Sequence, residues 1–266
     1  MIDIDKYKVL LRGAGELASA VAVTLHRVGF KVLMTELPVP LAIRRTVSFS
    51  DAMLNGRSEV EGIQSLKADL KNYIEIINDD KIPILEDSIE LLSLIKPNFY
   101  IDARMLKTDL IDRRNNAYFT IGLGPGFKVG ANCDSVIETK RGHSLGKVIW
   151  HGSAQKNTGI PGTIGGQSKN RVIHAESDGK INWCVNIGDE VQEYQVLGEI
   201  ANLEIRSQIS GIVRGLISPL VNVSSRMKIA DIDPRGSEID YKTISDKARN
   251  ISRGVLEAML IHLKYI

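Results

Sequence analysis

A short apolar run that passes through Gly13-Ala14-Gly15-Glu16-Leu17-Ala18 into a helically spaced apolar stripe leaves few folds open to a chain. Lys8–Arg12 is that run, and it stops at Gly13. Leu17, Val21, Leu25 and Val28 then recur at helical spacing, and Gly29 stands where a helix C-cap would. Lys31–Thr35 is a second apolar run and ends at Glu36. Two strands joined by one helix in this way lie parallel, because parallel neighbours require a crossover connection.

Gly13-x-Gly15-x-x-Ala18 also has the spacing of a dinucleotide-binding fingerprint. The first glycine permits the tight turn, the second lets the backbone approach phosphate, and the small third residue lets helix and strand pack closely. The helix start adds amide donors and a positive dipole end. Gly13, Gly15, Glu16 and Leu17 are therefore candidate cofactor-binding residues. Glu36, 21 residues after Gly15, stands where an acid would bind ribose hydroxyls. Glu16 argues against the usual pose, since a carboxylate directly after the second glycine would repel a pyrophosphate. The alternative is a Rossmann-like scaffold that binds something else, or nothing.

Further alternation follows. Asp69–Asn78 reads as a helix, and so does Ser88–Ile95, with Ser88 as N-cap and Pro97 just beyond its end. Ile82–Leu85, Phe99–Asp102 and Tyr118–Leu123 read as strands. The expectation is a doubly wound α/β fold, a Rossmann-like parallel sheet domain over residues 1–155. A loop region with Asn157-Thr158-Gly159-Ile160-Pro161-Gly162 and Gly165-Gly166 comes next, and Arg171 to Asp233 has an all-β texture. Inside it an offset of 32 residues pairs Gly179 with Gly211, Ile181 with Val213, Val191 with Val223, and Ile200 with Ile232. The first half, Gly179 to Ile200, resembles half of a biotinyl/lipoyl-type barrel-sandwich, and two such halves would wrap into one barrel, so a small all-β lipoyl-like domain is expected over residues 156–241. No lysine occurs from Ile181 to Met227, which removes the acceptor of a prosthetic arm. From Thr243 the chain is helical. Ala248, Ile251, Val255, Met259 and Leu263 form one apolar face, expected to pack residues 242–266 back onto the α/β domain.

Among 266 residues the formal net charge is only +2, which does not mark a nucleic-acid partner. No apolar run approaches the roughly 20 residues that span a bilayer, so no membrane partner is expected. Met1 to Lys8 lacks a signal-peptide core. Two cysteines, Cys133 and Cys184, exclude a disulfide framework and point to the cytoplasm.

A second glycine-rich stretch, Ile121-Gly122-Leu123-Gly124-Pro125-Gly126-Phe127, offers successive amides for an anion nest or simply a tight turn. Gly122 and Gly124 join the candidate cofactor-binding residues. Asn132-Cys133-Asp134, Glu138-Thr139 and Arg141-Gly142-His143 then gather a thiol, carboxylates, a guanidinium and an imidazole. Arg141 would pair with phosphate or carboxylate. Cys133 and His143 are the catalytic candidates, with Cys133 as a thiolate activated by Arg141 or His143. The plainer reading of Cys133 is a buried small hydrophobe. The spacing matches no zinc motif, so no metal site is expected. Asp102-Ala103-Arg104 sits at a strand's carboxyl end near the usual ligand crevice, with an Asp102–Arg104 or Asp102–Arg141 pair as the plainer reading. The aspartates of Lys228–Arg235 read as turn caps.

These segments together resemble one family. Leu11–Ala18, Ile121–Phe127, Val136-Ile137-Glu138-Thr139-Lys140-Arg141-Gly142-His143-Ser144-Leu145-Gly146, Asn157–Gly162 and Lys228–Arg235 are similar to the YqeB-type accessory proteins of selenium-dependent molybdenum hydroxylases, over nearly the whole length. The Glu138–His143 block is also similar to the XdhC-type maturation factors of xanthine dehydrogenase, which pair a Rossmann domain with molybdenum-cofactor handling. The resemblance implies a maturation role, a dinucleotide or molybdopterin-type ligand, and a molybdenum hydroxylase or its cofactor-assembly proteins as partners. It carries over no catalytic residue and leaves the oligomeric state open. Two rival readings stand beside it: an NAD(P)-dependent oxidoreductase using Glu36 for ribose, and a non-catalytic interaction module.

Overall fold

Apolar runs bounded by glycine and charge set the first strands in the computed structural model of the chain, which describes residues 3–88, 90–107, 111–156 and 162–264. Two compact units result. The first comprises Met1–Pro38, Val47–Asn157 and Ile244–Ile266; the second comprises Val39–Thr46 and Thr158–Thr243. The expected loop Asn157–Pro161 lies outside the described residues.

The first unit begins with β1 (Lys8–Arg12), α1 (Glu16–Arg27) and β2 (Lys31–Glu36). After them come α2 (Ala52–Asn55), β3 (Arg57–Val60), β4 (Ile63–Lys67), α3 (Tyr73–Asn78), β5 (Ile82–Glu86), α4 (Glu90–Ile95), β6 (Phe99–Asp102), β7 (Phe119–Leu123), β8 (Ser135–Ile137) and β9 (Val148–Ile149). They build one nine-stranded sheet in the order β3-β4-β5-β2-β1-β6-β7-β8-β9. Neighbours from β4 through β8 run parallel, with Val9 opposite Val32 and Phe99 in register. β3 and β9 pair antiparallel at the two edges. The strands beside β1 are buried along nearly their full length, as strands covered on both faces must be. α5 (Asp246–Lys264) buries Ala248, Ile251, Val255, Met259 and Leu263 in the main core of this unit. It lies against α1, where Thr24 Oγ1 donates to Ser252 Oγ at 2.9 Å and Ser245 Oγ to Glu16 Oε1 at 2.6 Å.

The second unit contains β10 (Val172–His174), β11 (Ile181–Trp183), β12 (Glu190–Val191), β13 (Val196–Ile200), β14 (Leu203–Arg206), β15 (Gly211–Leu216) and β16 (Lys228–Asp233). Here the expectation of a Rossmann-like parallel sheet plus a lipoyl-like barrel-sandwich is corrected. The large sheet is mixed. The β region forms a four-stranded sheet, β10-β16-β15-β12, and a separate three-stranded sheet, β11-β13-β14, with no closed barrel among the described residues. The 32-residue offset reflects a repeated use of glycine and buried aliphatic residues, which is not enough to dictate closure. The inserted segment Val39–Thr46 belongs with these strands: Arg44 Nη2 donates to the Tyr241 carbonyl at 3.2 Å, and a Cβ on Gly215 would stand 2.8 Å from the Ile43 carbonyl.

A buried charge chain crosses the four-stranded sheet. Asp231 and Asp233 are 1% and 0% exposed and lie in β16; Asp233 accepts from the Arg235 amide at 3.2 Å, the turn cap expected, whereas Asp231 is a strand residue bound by arginines. Asp231 accepts from Arg171 Nη1 at 2.6 Å and from Arg214 Nη2 at 2.5 Å, while Arg214 Nη1 also reaches Asp233 at 3.0 Å. Arg171 donates further to the Gly162 carbonyl at 3.1 Å. Burial pushes the Asp231 carboxyl up, but the positive charges of Lys228, Arg214 and Arg171 outweigh it and hold the group below the ordinary carboxylate range. Removing one partner strands the others in a low dielectric. Asp231→Asn is therefore expected to destabilise the protein by about 3–5 kcal/mol in denaturant unfolding; a loss under about 1 kcal/mol would contradict this account.

Candidate active-site region at the carboxyl ends of the parallel strands

β1 has β2 on one side and β6 on the other, so the chain leaves it in opposite directions. Ligands in parallel sheets collect at such a point, beyond the carboxyl ends of the strands. Gly13 holds φ at +97°, a conformation strained for any side chain, and a Cβ there would stand 3.4 Å from Arg104 Cγ. Its amide donates to the Thr35 carbonyl at 2.8 Å, closing the turn onto β2. Gly15 is the N-cap of α1 and has no side-chain cap. Nothing lies within 4 Å of where its Cβ would be. Leu17 is a partly buried packing residue on the main core.

Glu36 turns inward. Its Oε2 accepts from the Ala14 amide and its Oε1 from the Leu37 amide, each at 2.8 Å. Burial raises its pKa, and those two bonds only partly offset the shift. One oxygen of the group expected to meet ribose thus already holds the glycine turn. Glu16, expected beside a pyrophosphate, binds Ser245 instead.

Two arginine–carboxylate pairs stand beside the turn. Arg12 at the end of β1 donates to Asp87 through Nε at 2.8 Å and Nη2 at 2.7 Å, and Thr35 Oγ1 donates to the same carboxylate at 2.8 Å. Burial raises the Asp87 pKa, but the hydrogen bonds from Arg12 and Thr35 and the Arg12 charge bring it below the ordinary value. Asp102, 2% exposed at the end of β6, accepts from Arg104 Nη2 at 2.6 Å and Nε at 3.0 Å, and from the Tyr100 hydroxyl at 3.2 Å. Asp102 therefore pairs with Arg104 rather than Arg141.

The second glycine stretch is structural at Gly122. A Cβ there would overlap the Phe127 ring, which occupies the space a ligand would need. Gly124, at φ +99°, lies under Met105 and Thr139, each 3.3 Å from a Cβ built on it. Cys133 is 1% exposed, and its thiol is pushed up to about 12, first by burial and then by the Asp134 charge. It is protonated at neutral pH, so the expected thiolate does not form. Arg141 is bound through both terminal nitrogens to Asp246, at 2.6 and 2.8 Å. His143 lies on the surface in a turn. Glu138 is buried and accepts from the backbone amides of Thr139, Lys140 and Gln155, each at 2.8 Å. That block shapes a loop around one carboxylate.

A cavity of about 170 Å³ opens in this unit, lined in part by Arg12, Tyr100, Asp102, Arg104, Arg113 and Cys133. Of these, sequence reasoning weighed Asp102, Arg104 and Cys133 and missed Arg12, Tyr100 and Arg113. Arg12 carried a usable signal: it is the charged residue that follows the apolar run Val9-Leu10-Leu11 just before the glycine turn. Among the described residues no group of three or more His, Cys, Asp and Glu stands together to hold a metal ion.

No protein-family model matches the sequence. The chain is 44% identical over 255 residues to a protein described as uncharacterized protein YqeB of Escherichia coli (strain K12), which supports the YqeB resemblance. The match covers 95% of this chain and 47% of that one, so the chain spans about half the length of the curated relative it matches. Among solved structures, the product-bound ectoine utilization protein EutE (DoeB) of Ruegeria pomeroyi shares 12% identity at a TM-score of 0.27, covering 85% of this chain and 84% of that one. A succinylglutamate desuccinylase/aspartoacylase of Rhodobacter sphaeroides shares 14% at 0.27, covering 85% of each. Likeness at that level carries nothing over to the site.

Two outcomes follow from the geometry. Gly122→Ala is expected to lower stability by about 1–3 kcal/mol in thermal or denaturant unfolding, because the Phe127 ring must move. Alkylation at pH 7 followed by mass mapping is expected to label exposed Cys184 and to leave Cys133 unlabelled in the folded chain. Equal labelling of the two would rule out the buried neutral thiol.

Proposed function

We propose that the chain is an accessory or maturation protein for a selenium-dependent molybdenum hydroxylase, and that its first unit binds a phosphate-bearing ligand, molybdopterin-type or nucleotide, at the carboxyl ends of the parallel strands. The observation that carries this reading is the open approach to Gly15. Apart from its own chain neighbours, no atom lies within 4 Å of where its Cβ would be, at the start of a 12-residue helix that no side chain caps. The first amides of a helix have no partner within it and favour an anion. Arg104, packed beside Gly13, is held there by its pair with Asp102. The likeness to YqeB supports the resemblance from which the maturation role comes. The partners on this reading are the hydroxylase or its cofactor-assembly proteins, in the cytoplasm. No helix among the described residues is long and apolar enough to cross a membrane.

The oxidoreductase reading has less support. One oxygen of Glu36 is committed to the Ala14 amide and the other to the Leu37 amide. Deleting the gene from a host that makes such a hydroxylase is expected to leave the hydroxylase protein present but inactive. Activity returns with the wild-type chain and not with Gly15→Asp, which places a carboxylate in the open approach. Full hydroxylase activity in the deletion strain would sink the proposal.

A further inference from the structure

We infer that the first unit carries a second ligand site, separate from the glycine turn, that takes a small monoanion: a carboxylate on a body of about one ring. The cavity beside Cys133 is that site, and Gly13, Gly15 and Glu36 do not line it.

Size sets the first limit. The cavity measures about 170 Å³. An apolar cavity of roughly 150 Å³ accepts benzene, whereas drug-sized ligands fill pockets of roughly 300–1,000 Å³. One ring fits; a nucleotide does not.

Charge sets the second. Three arginines line the cavity, Arg12, Arg104 and Arg113. Asp87 neutralises the first and Asp102 the second. Arg113 is half-buried and has no hydrogen-bond or ion-pair partner among the described residues, while its neighbour Arg114 is bound by Asp112 at 2.7 Å. One positive charge is left over. Among the described residues that line the cavity no other charge cancels it: the Cys133 thiol is protonated, and burial raises the Tyr100 hydroxyl above its ordinary pKa. Both oxygens of Asp102 are already occupied by Arg104 and Tyr100, so the cavity does not present a free carboxylate to a cation. A single negative charge on the ligand completes the balance, and a guanidinium is the group best shaped to hold a carboxylate.

Shape sets the third. Leu106, Ile111, Ile121 and Phe127 supply an apolar wall. Phe127 is fixed by its seat on Gly122, which gives the ring of a ligand a rigid aromatic surface to pack on.

The test uses benzoate and its neutral isostere benzamide as probes, with calorimetric titration of the full chain. Benzoate is expected to bind saturably with a Kd of about 1 mM or tighter, and benzamide at least about tenfold more weakly. Arg113→Gln is expected to weaken benzoate by at least about tenfold while leaving the melting temperature unchanged, and Arg113→Lys to fall between. Equal binding of the two probes, unchanged benzoate affinity in Arg113→Gln, or no benzoate binding in the millimolar range would each overturn the inference. The maturation reading stands or falls separately: Gly15→Asp is expected to leave benzoate binding intact, and loss of benzoate binding in Arg113→Gln does not depend on hydroxylase activation.

Discussion

The Arg12–Asp87 pair ties together the carboxyl ends of three adjacent parallel strands. Asp87, just after β5, reaches past β2 to the arginine that ends β1, and Thr35 on β2 donates to the same carboxylate. Both side chains of the pair are largely withdrawn from water. Such a pair contributes modestly when intact and costs several kcal/mol when broken, since one charge is then left buried alone. Its position fixes much else. The Asp87 amide donates to the Glu36 carbonyl at 2.8 Å, which helps hold Glu36 at the turn, and the Asp87 charge adds to the rise in the Glu36 pKa. Arg12 in turn becomes part of the cavity wall.

Local order was legible where one short-range rule dominated. Leu17, Val21 and Leu25 fixed a helix by their spacing, and α1 spans Glu16–Arg27. Phe99–Asp102 was legible as a strand because four buried residues sit between turn signals, and β6 has those bounds. The helix expected from Asp69 starts only at Tyr73, because Asp69 spends its carboxylate on the Lys71 and Asn72 amides in a turn. Long-range pairing was not legible. No local pattern says that the strands after Arg171 divide into two sheets, or that Val39–Thr46 leaves the first unit for the second.

The site followed the same division. Gly13 and Gly15 were readable because a backbone turn is a local object. Arg141 meets a carboxylate, one of the two partners expected of it, but that carboxylate is Asp246 of the same chain, too far along the sequence for any local pattern to name. For Gly122, read as part of an anion nest or of a tight turn, the neighbour that decides is likewise one no local pattern names. A glycine signals only that a side chain is missing, and here the space it leaves is filled by Phe127 of the same chain. The glycine turn and the arginine-lined cavity then differ in kind. One offers backbone amides at a helix start, the other a side-chain charge with no partner beside apolar walls.

The packing of α1 against α5 carries a consequence for synthesis. α5 leaves the ribosome more than two hundred residues after α1. At roughly 5–20 residues per second, the face of α1 that ends beneath α5 waits about 10–40 seconds for its cover. During that interval the nascent sheet is clad on one side by an unfinished layer. The face of α1 that α5 covers is thus open to a holding chaperone until α5 is made, and completion of this layer is timed by α5 rather than by α1.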